Sequence, residues 1–192
     1  KIAAYLPKGS YFADIGSDHA YLPCYVCLHD PTAKAIAGEV NEGPYLSAQK
    51  TVETYGLTEQ IEVRLGDGLT VIQEDPITEV VIAGMGGQLI RRILTDGEDK
   101  LQTVKRVIVQ PNIAAHLLRE WFHDRQMTIV AEELIEENDH IYEIIVAEKT
   151  HPYIPLTEKE CLFGPHLLKE KSAVFKKKWR REQQNYKRII KQ

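Results

Sequence analysis

The sequence predicts an α/β protein: a doubly wound parallel sheet, closed by an antiparallel hairpin and followed by a helical C-terminal segment. Three observations carry that expectation. Short apolar runs recur through the first half of the chain, with helix-length segments between them. After Met127 two strand-like runs follow one another with no room for a helix between them. Beyond Gly164-Pro165 the apolar spacing becomes helical and the charge turns basic.

Taken in order, Ile2-Ala3-Ala4-Tyr5-Leu6 reads as the end of a helix, stopped by Pro7 and Gly9. Five runs then suit strands buried on both faces, being short and apolar or β-branched: Tyr11 to Ile15, Ala35 to Glu39, Ile61 to Leu65, Glu79 to Ala83 and Arg106 to Gln110. The expected helices are one holding Cys24 and Cys27, then Pro44 to Tyr55, Gly87 to Thr95 and Ala114 to Arg125. Such alternation implies parallel pairing. Met127 to Glu133 and His140 to Lys149 flank the polar Glu136-Glu137-Asn138-Asp139 and should pair as an antiparallel hairpin. His151 to Leu156, with two prolines, reads as a linker, dividing the chain into residues 1–150 and 151–192. In the tail, Leu168, Ser172, Phe175, Trp179, Gln183, Tyr186 and Ile190 fall on one helical stripe, expected to pack against another helix. No cap ends that pattern, so it is expected to belong to a longer helical hairpin or coiled coil.

Composition narrows the class. With 192 residues, 43% of them hydrophobic and 27% charged, the chain suits one sizeable globular domain with an appendage. No apolar run approaches the ~18 residues that span a bilayer, and no charged-then-apolar leader opens the chain. The expected location is the cytoplasm, without membrane contact; the first residue is Lys, so a native start upstream is expected. Cys24 and Cys27 form a CxxC pair, but only Cys161 and scattered histidines could complete a metal site. Two small buried side chains are expected there, and no metal. Charge is unevenly spread: Leu167 to Gln192 holds ten Lys/Arg against two Glu, leaving 14 Lys/Arg against 26 Asp/Glu elsewhere. An acidic body with a basic tail points to a polyanionic partner, where the plain alternative is a solvated helix face.

The candidate site residues sit at the ends of the predicted parallel strands. Asp14-Ile15-Gly16-Ser17-Asp18-His19 is how the first strand and turn of a nucleotide-binding βαβ unit begin. Glu39, followed by Val40, lies 23 residues after Gly16. An acid roughly 20 residues on can bond ribose hydroxyls. Only one of the three glycines of a dinucleotide fingerprint is present, and Asp14 and Asp18 make the turn a poor cradle for pyrophosphate. Carboxylates attract a cationic centre, which favours S-adenosylmethionine over NAD. Gly66-Asp67-Gly68 follows the third strand, where an acid can accept a bond from an adenine amine; an ordinary Asp-Gly turn is the alternative. Ala83-Gly84-Met85-Gly86-Gly87 ends the fourth, with glycines that let a ligand approach the backbone. The Asn/Asp-Pro-Pro-aromatic motif of many amino methyltransferases is missing there. Gln110-Pro111-Asn112 ends the fifth strand, where two amides could read the edge of a base or Asn112 could cap the next helix. His19, beside Asp18, is either a proton acceptor or structural.

These segments resemble the bacterial tRNA (adenine-N1)-methyltransferases that modify a D-arm adenine, the TrmK family. The carrying residues are Asp14 to Pro23, Gly38-Glu39, Gly66 to Leu69, Ala83 to Gly87, Gln110 to Asn112 and Phe163-Gly164-Pro165. The resemblance covers essentially the whole chain. It implies a Rossmann-like class I methyltransferase domain, a coiled-coil-like helical domain, S-adenosylmethionine as donor and tRNA as substrate. On that footing Asp18, His19, Gln110 and Asn112 are the candidate catalytic residues. Asp14, Gly16, Ser17, Glu39, Val40, Gly66, Asp67, Gly68, Ala83, Gly84, Met85 and Gly86 are the candidate donor-binding ones. Two other readings remain at this point: methylation of a small molecule or protein, with the tail as a dimer helix, and a non-catalytic nucleotide-binding module.

Overall fold

The computed structural model describes residues 1–190, with Tyr186 and Ile189 described by backbone alone. Seven strands form one sheet: β1 (Tyr11–Ile15), β2 (Lys34–Glu39), β3 (Ile61–Leu65), β4 (Glu79–Met85), β5 (Arg106–Pro111), β6 (Thr128–Glu137) and β7 (His140–Glu148). Their spatial order is β3-β2-β1-β4-β5-β7-β6. β1 to β5 run parallel, and β7 is antiparallel to both β5 and β6. The helices are α1 (Tyr21–His29), α2 (Glu42–Thr54), α3 (Gly87–Asp96), α4 (His116–Asp124), α5 (Glu158–Phe163), α6 (Pro165–Glu170) and α7 (Ala173–Ile190).

Alternation along the strands divides the core into two layers. Ala13, Ile15, Val80, Ile82, Val107 and Val109 face the α3–α4 side, against Ile90, Leu94, Leu118, Trp121 and Phe122. Phe12, Ala35, Ala37, Val81 and Ile108 face the other side, against Cys24, Val26 and Cys27 of α1 and Ala48 and Val52 of α2. Both CxxC cysteines are thus core residues, and burial pushes the Cys27 thiol up to about 11. Among the described residues no group of His, Cys, Asp and Glu could hold a metal ion, and no helix is long and apolar enough to cross a membrane.

Several element bounds differ from expectation by a residue or more, two of them for a clear local reason. The hairpin turn is only Asn138-Asp139, both left-handed at φ +48° and +64°, so Glu136 and Glu137 belong to β6. A two-residue turn with both residues at positive φ matches strand twist and suits Asn and Asp. Helix α4 starts two residues late because Ala114 is left-handed at φ +57°, and Ala115 rather than Asn112 holds the N-cap position. The opening segment is a single 3-10 turn, Ile2–Tyr5.

The tail departs most. The stripe read as one helix is broken at Lys171, which is left-handed at φ +49°. Leu168 therefore lies on α6 and Ser172 between helices; Phe175 and Trp179 lie on α7 with Phe163 of α5 against them. The Tyr186 side chain and Gln192 fall outside the described residues. A capping box starts α5: Thr157 accepts from the Glu160 amide, and Glu160 accepts from the Thr157 amide.

Candidate active site at the carboxyl edge of the sheet

β1 lies between β2 and β4, so the chain leaves the sheet in opposite directions on either side of it. Ligands bind at such a switch point, outside the carboxyl ends of the strands. The sequence-predicted residues meet there, since Ile15, Glu39, Leu65, Met85 and Pro111 all end strands at this edge.

The first turn is held tightly. Gly16 is left-handed at φ +71°, and a Cβ on it would collide with Met85 Cε. Its amide and that of Ser17 both donate to the Gly38 carbonyl, at 2.9 and 3.2 Å. Ser17 Oγ donates to Asp14 Oδ2 at 2.6 Å, and the Asp18 amide donates to Glu39 Oε1. Asp14 and Glu39 are both buried. Burial raises the Asp14 pKa to about 6; the Ser17 hydroxyl opposes that and the Glu39 charge adds to it. Burial also raises Glu39, against the Asp18 amide that stabilises its charge. Two desolvated carboxylates side by side make an acidic pocket that gains by accepting a cation.

The glycine loop after β4 is fixed by the amides of β5. Gln110 Oε1 accepts from the Gly84 amide at 3.0 Å, and Asn112 Nδ2 donates to the Gly84 carbonyl at 2.8 Å. Gln110 Nε2 donates to Asn112 Oδ1 at 3.2 Å. Both polar groups of Gly84 are therefore satisfied by side chains, and Gly84 is left-handed at φ +77° with open space where a Cβ would stand. Gly87 packs against the Ala114 carbonyl so closely that only glycine fits. Ala83 is half-buried. Gly86 is the N-cap position of α3, whose side chains make no cap.

Around this edge the polar groups are free to meet a ligand. Asp67 is exposed at the start of the 3-10 turn Gly68–Val71, with no side-chain cap bond. Asp18 is exposed, with its Oδ1 at 3.7 Å from His19 Nε2. Val40, Leu65 and Ile113 are large apolar side chains more than half exposed. A monomer core has no use for them there, whereas a bound nucleoside would cover them. Val40 was legible as the neighbour of Glu39. Leu65 and Ile113 were missed, although apolar residues placed where a strand meets its loop were the available signal.

Known proteins resemble this chain over nearly its whole length. A family model described as tRNA (adenine(22)-N(1))-methyltransferase matches residues 12–192. A Bacillus subtilis protein of that same name is 47% identical over 100% of this chain and 82% of its own length. The structure of Streptococcus pneumoniae Sp1610 with S-adenosyl-L-methionine superposes with a TM-score of 0.93 at 45% identity, covering 98% of this chain and 87% of that one. The M. capricolum TrmK structure with S-adenosyl-homocysteine gives a TM-score of 0.90 at 33% identity, over 100% and 84%.

Proposed function

We infer the residue roles from one premise: the chain belongs to the tRNA (adenine(22)-N(1))-methyltransferase family. It transfers a methyl group from S-adenosylmethionine to N1 of a tRNA adenine. The single observation that carries the site assignment is the row of strand ends Gly16, Glu39, Asp67 and Gly84 around the switch point.

The chain's residues fit such a donor. Gly84 leaves open space at its Cβ position, Asp14 and Glu39 are desolvated carboxylates with no Lys or Arg ion pair among the described residues, and Val40, Leu65 and Ile113 await cover. S-adenosylmethionine supplies, when bound, an electrophilic sulfonium methyl. Glu39 holds ribose hydroxyls, Asp67 the adenine amine, and the Gly16 and Gly84–Gly86 backbones leave room between them. Asp14 acts through charge and through Ser17, which it orients.

Adenine N1 carries an in-plane lone pair and needs no covalent protein nucleophile. Rate enhancement therefore comes from alignment of N1 with the methyl carbon. The methylated ring is cationic, and the exposed Asp18 carboxylate stabilises that charge as it develops. His19 is the proton acceptor where one is needed. Gln110 and Asn112 act on the acceptor side, anchored by the Gly84 bonds.

The division of labour follows the linker: residues 1–150 form the methyltransferase domain and 151–192 a basic helical domain that holds the tRNA body. The cytoplasm, where tRNA is processed, is the fitting location. Incubation of unmodified tRNA with the protein and labelled donor, followed by mass spectrometry of the nucleosides, tests this function. Labelled N1-methyladenosine is expected. Label on protein or small molecules alone would instead support the methyltransferase alternative with a dimer helix.

A further inference from the structure

We propose that Tyr21 stacks on the acceptor adenine while Gln110 engages its Hoogsteen edge, an inference that rests on the tRNA-methylating reading above. Tyr21 opens α1 and is 64% exposed, although the helix packs through Pro23, Cys24, Val26 and Cys27. The core therefore has no use for its ring. The backbone just before it is strained: Asp18 and Ala20 are both left-handed, at φ +58° and +55°, and neither is glycine. Strain of that kind persists where a fold holds side chains in a set direction for function. Here it sets the His19 and Tyr21 rings face to face, 5.2 Å apart and 29° from parallel.

Tyr21 and Gln110 line the same groove, of about 530 Å³, with Leu22, Tyr25, Tyr142 and Ile144. That volume lies within the range of about 300–1,000 Å³ usual for ligand pockets. Gln110 joins the groove to the donor side, because its Oε1 accepts from the Gly84 amide. One Nε2 hydrogen goes to Asn112. A primary amide has two acceptor lone pairs and two donor hydrogens, so one of each remains. Adenine offers the matching pair on its Hoogsteen edge: the N7 acceptor and an N6 hydrogen. Reading that edge leaves the N1 lone pair free to attack, which reading the Watson–Crick edge would not. An unpaired RNA base on an aromatic face with its edge hydrogen-bonded is the common mode of single-strand recognition. The occupant is thus an adenine drawn out of the folded tRNA.

The test compares Tyr21→Phe, Tyr21→Trp, Tyr21→Leu and Tyr21→Ala in single-turnover methylation of a tRNA transcript, with donor affinity and melting temperature measured alongside. Tyr21→Leu and Tyr21→Ala should lose about 5- to 150-fold in rate, the worth of one base stack, with donor affinity unchanged. Tyr21→Phe and Tyr21→Trp should restore the rate, which an apolar packing role would not require. A transcript with 7-deazaadenosine at the target, given to the wild-type protein, should react about 10-fold more slowly, since N7 is then gone. Full activity of Tyr21→Leu, equal loss of donor affinity in it, or full activity on the 7-deaza transcript overturns the proposal. A wild-type protein that leaves ordinary transcripts unmethylated overturns the functional reading instead, and this one with it.

Discussion

Asp14 ties the pH response of the site to its charge. Its pKa is about 6 in the fold against 3.8 for the free group, so the folded state holds the proton more firmly. Its raised pKa costs the fold nothing well below pH 3.8, where both states are protonated, and about 3 kcal/mol well above pH 6. Asp14→Asn should therefore melt higher than wild type at pH 8 and alike at pH 4. A cationic donor favours the ionised form, so wild-type donor affinity should rise between pH 5 and 7, and less steeply in Asp14→Asn. A titration by calorimetry that finds parallel slopes would remove Asp14 from the donor site. Glu39→Ala should weaken donor binding by about 1.5–3 kcal/mol, the worth of a charged hydrogen bond. Part of that loss belongs to the Asp18 amide, which Glu39 accepts from. Glu39→Gln, which keeps an acceptor for that amide, separates the two. Most of these residues were legible because glycines and acids at strand ends have few structural uses. The double anchoring of Gly84 by Gln110 and Asn112 was not, because nothing in sequence spacing aligns β4 with β5.

Among the elements, the strands were the most legible and the tail the least. β1 and β3 coincide with their expected bounds, and in each a glycine, Gly16 or Gly66, directly follows the last strand residue. The tail was read as one stripe because apolar spacing persists across Lys171, and a single left-handed residue leaves no trace in periodicity. That break changes the meaning of its lysines. Lys177 pairs with Glu136 and Lys178 with Glu143, while Arg181 donates to the Asp139 carbonyl at 2.9 Å. These three fasten α7 to the β6–β7 hairpin. Lys176, Arg180 and Lys187 share another face of α7, are exposed, and have no ion pair among the described residues. Reversing those three to Glu should lower tRNA affinity and reduce the slope of log affinity against log salt by roughly 0.7–0.9 per lost contact, at unchanged melting temperature. Lys178→Glu should do the opposite, lowering the melting temperature, since it sets a third carboxylate beside Glu143 and Glu132. Equal salt slopes for the triple variant and wild type would mean that α7 only packs.

For the molecule as a whole, the question is what joins the basic helices to the sheet. The answer is a buried charge cluster behind the last two strands. Arg119 of α4 is fully buried; it donates to Glu132 Oε1 at 2.6 Å and to Glu143, and Lys178 of α7 closes the set on Glu143. Gly164 fits against it only because it lacks a Cβ, which would meet the Glu132 carboxylate and Arg119. Two cations and two carboxylates balance, so the cluster is neutral while complete. Burial alone would push the Glu143 pKa up, but the Arg119 and Lys178 charges outweigh it and hold Glu143 below its usual value. A depressed carboxylate stabilises the fold above its unfolded pKa of about 4.3, and that contribution is lost as pH falls through the folded value. Removing one member of such a cluster leaves its partners charged and unpaired, at a cost of about 3–5 kcal/mol. Arg119→Met should accordingly lower the melting temperature by about 6–20 °C at pH 8. In the variant the orphaned carboxylates take up protons readily, so the gap from wild type should narrow as pH is lowered toward 4. A gap that stays constant across that range would mean that the side chain contributes volume rather than charge. Because α5, α6 and α7 all lean on this cluster, tRNA affinity should fall with it while donor affinity at the carboxyl edge stays as it was.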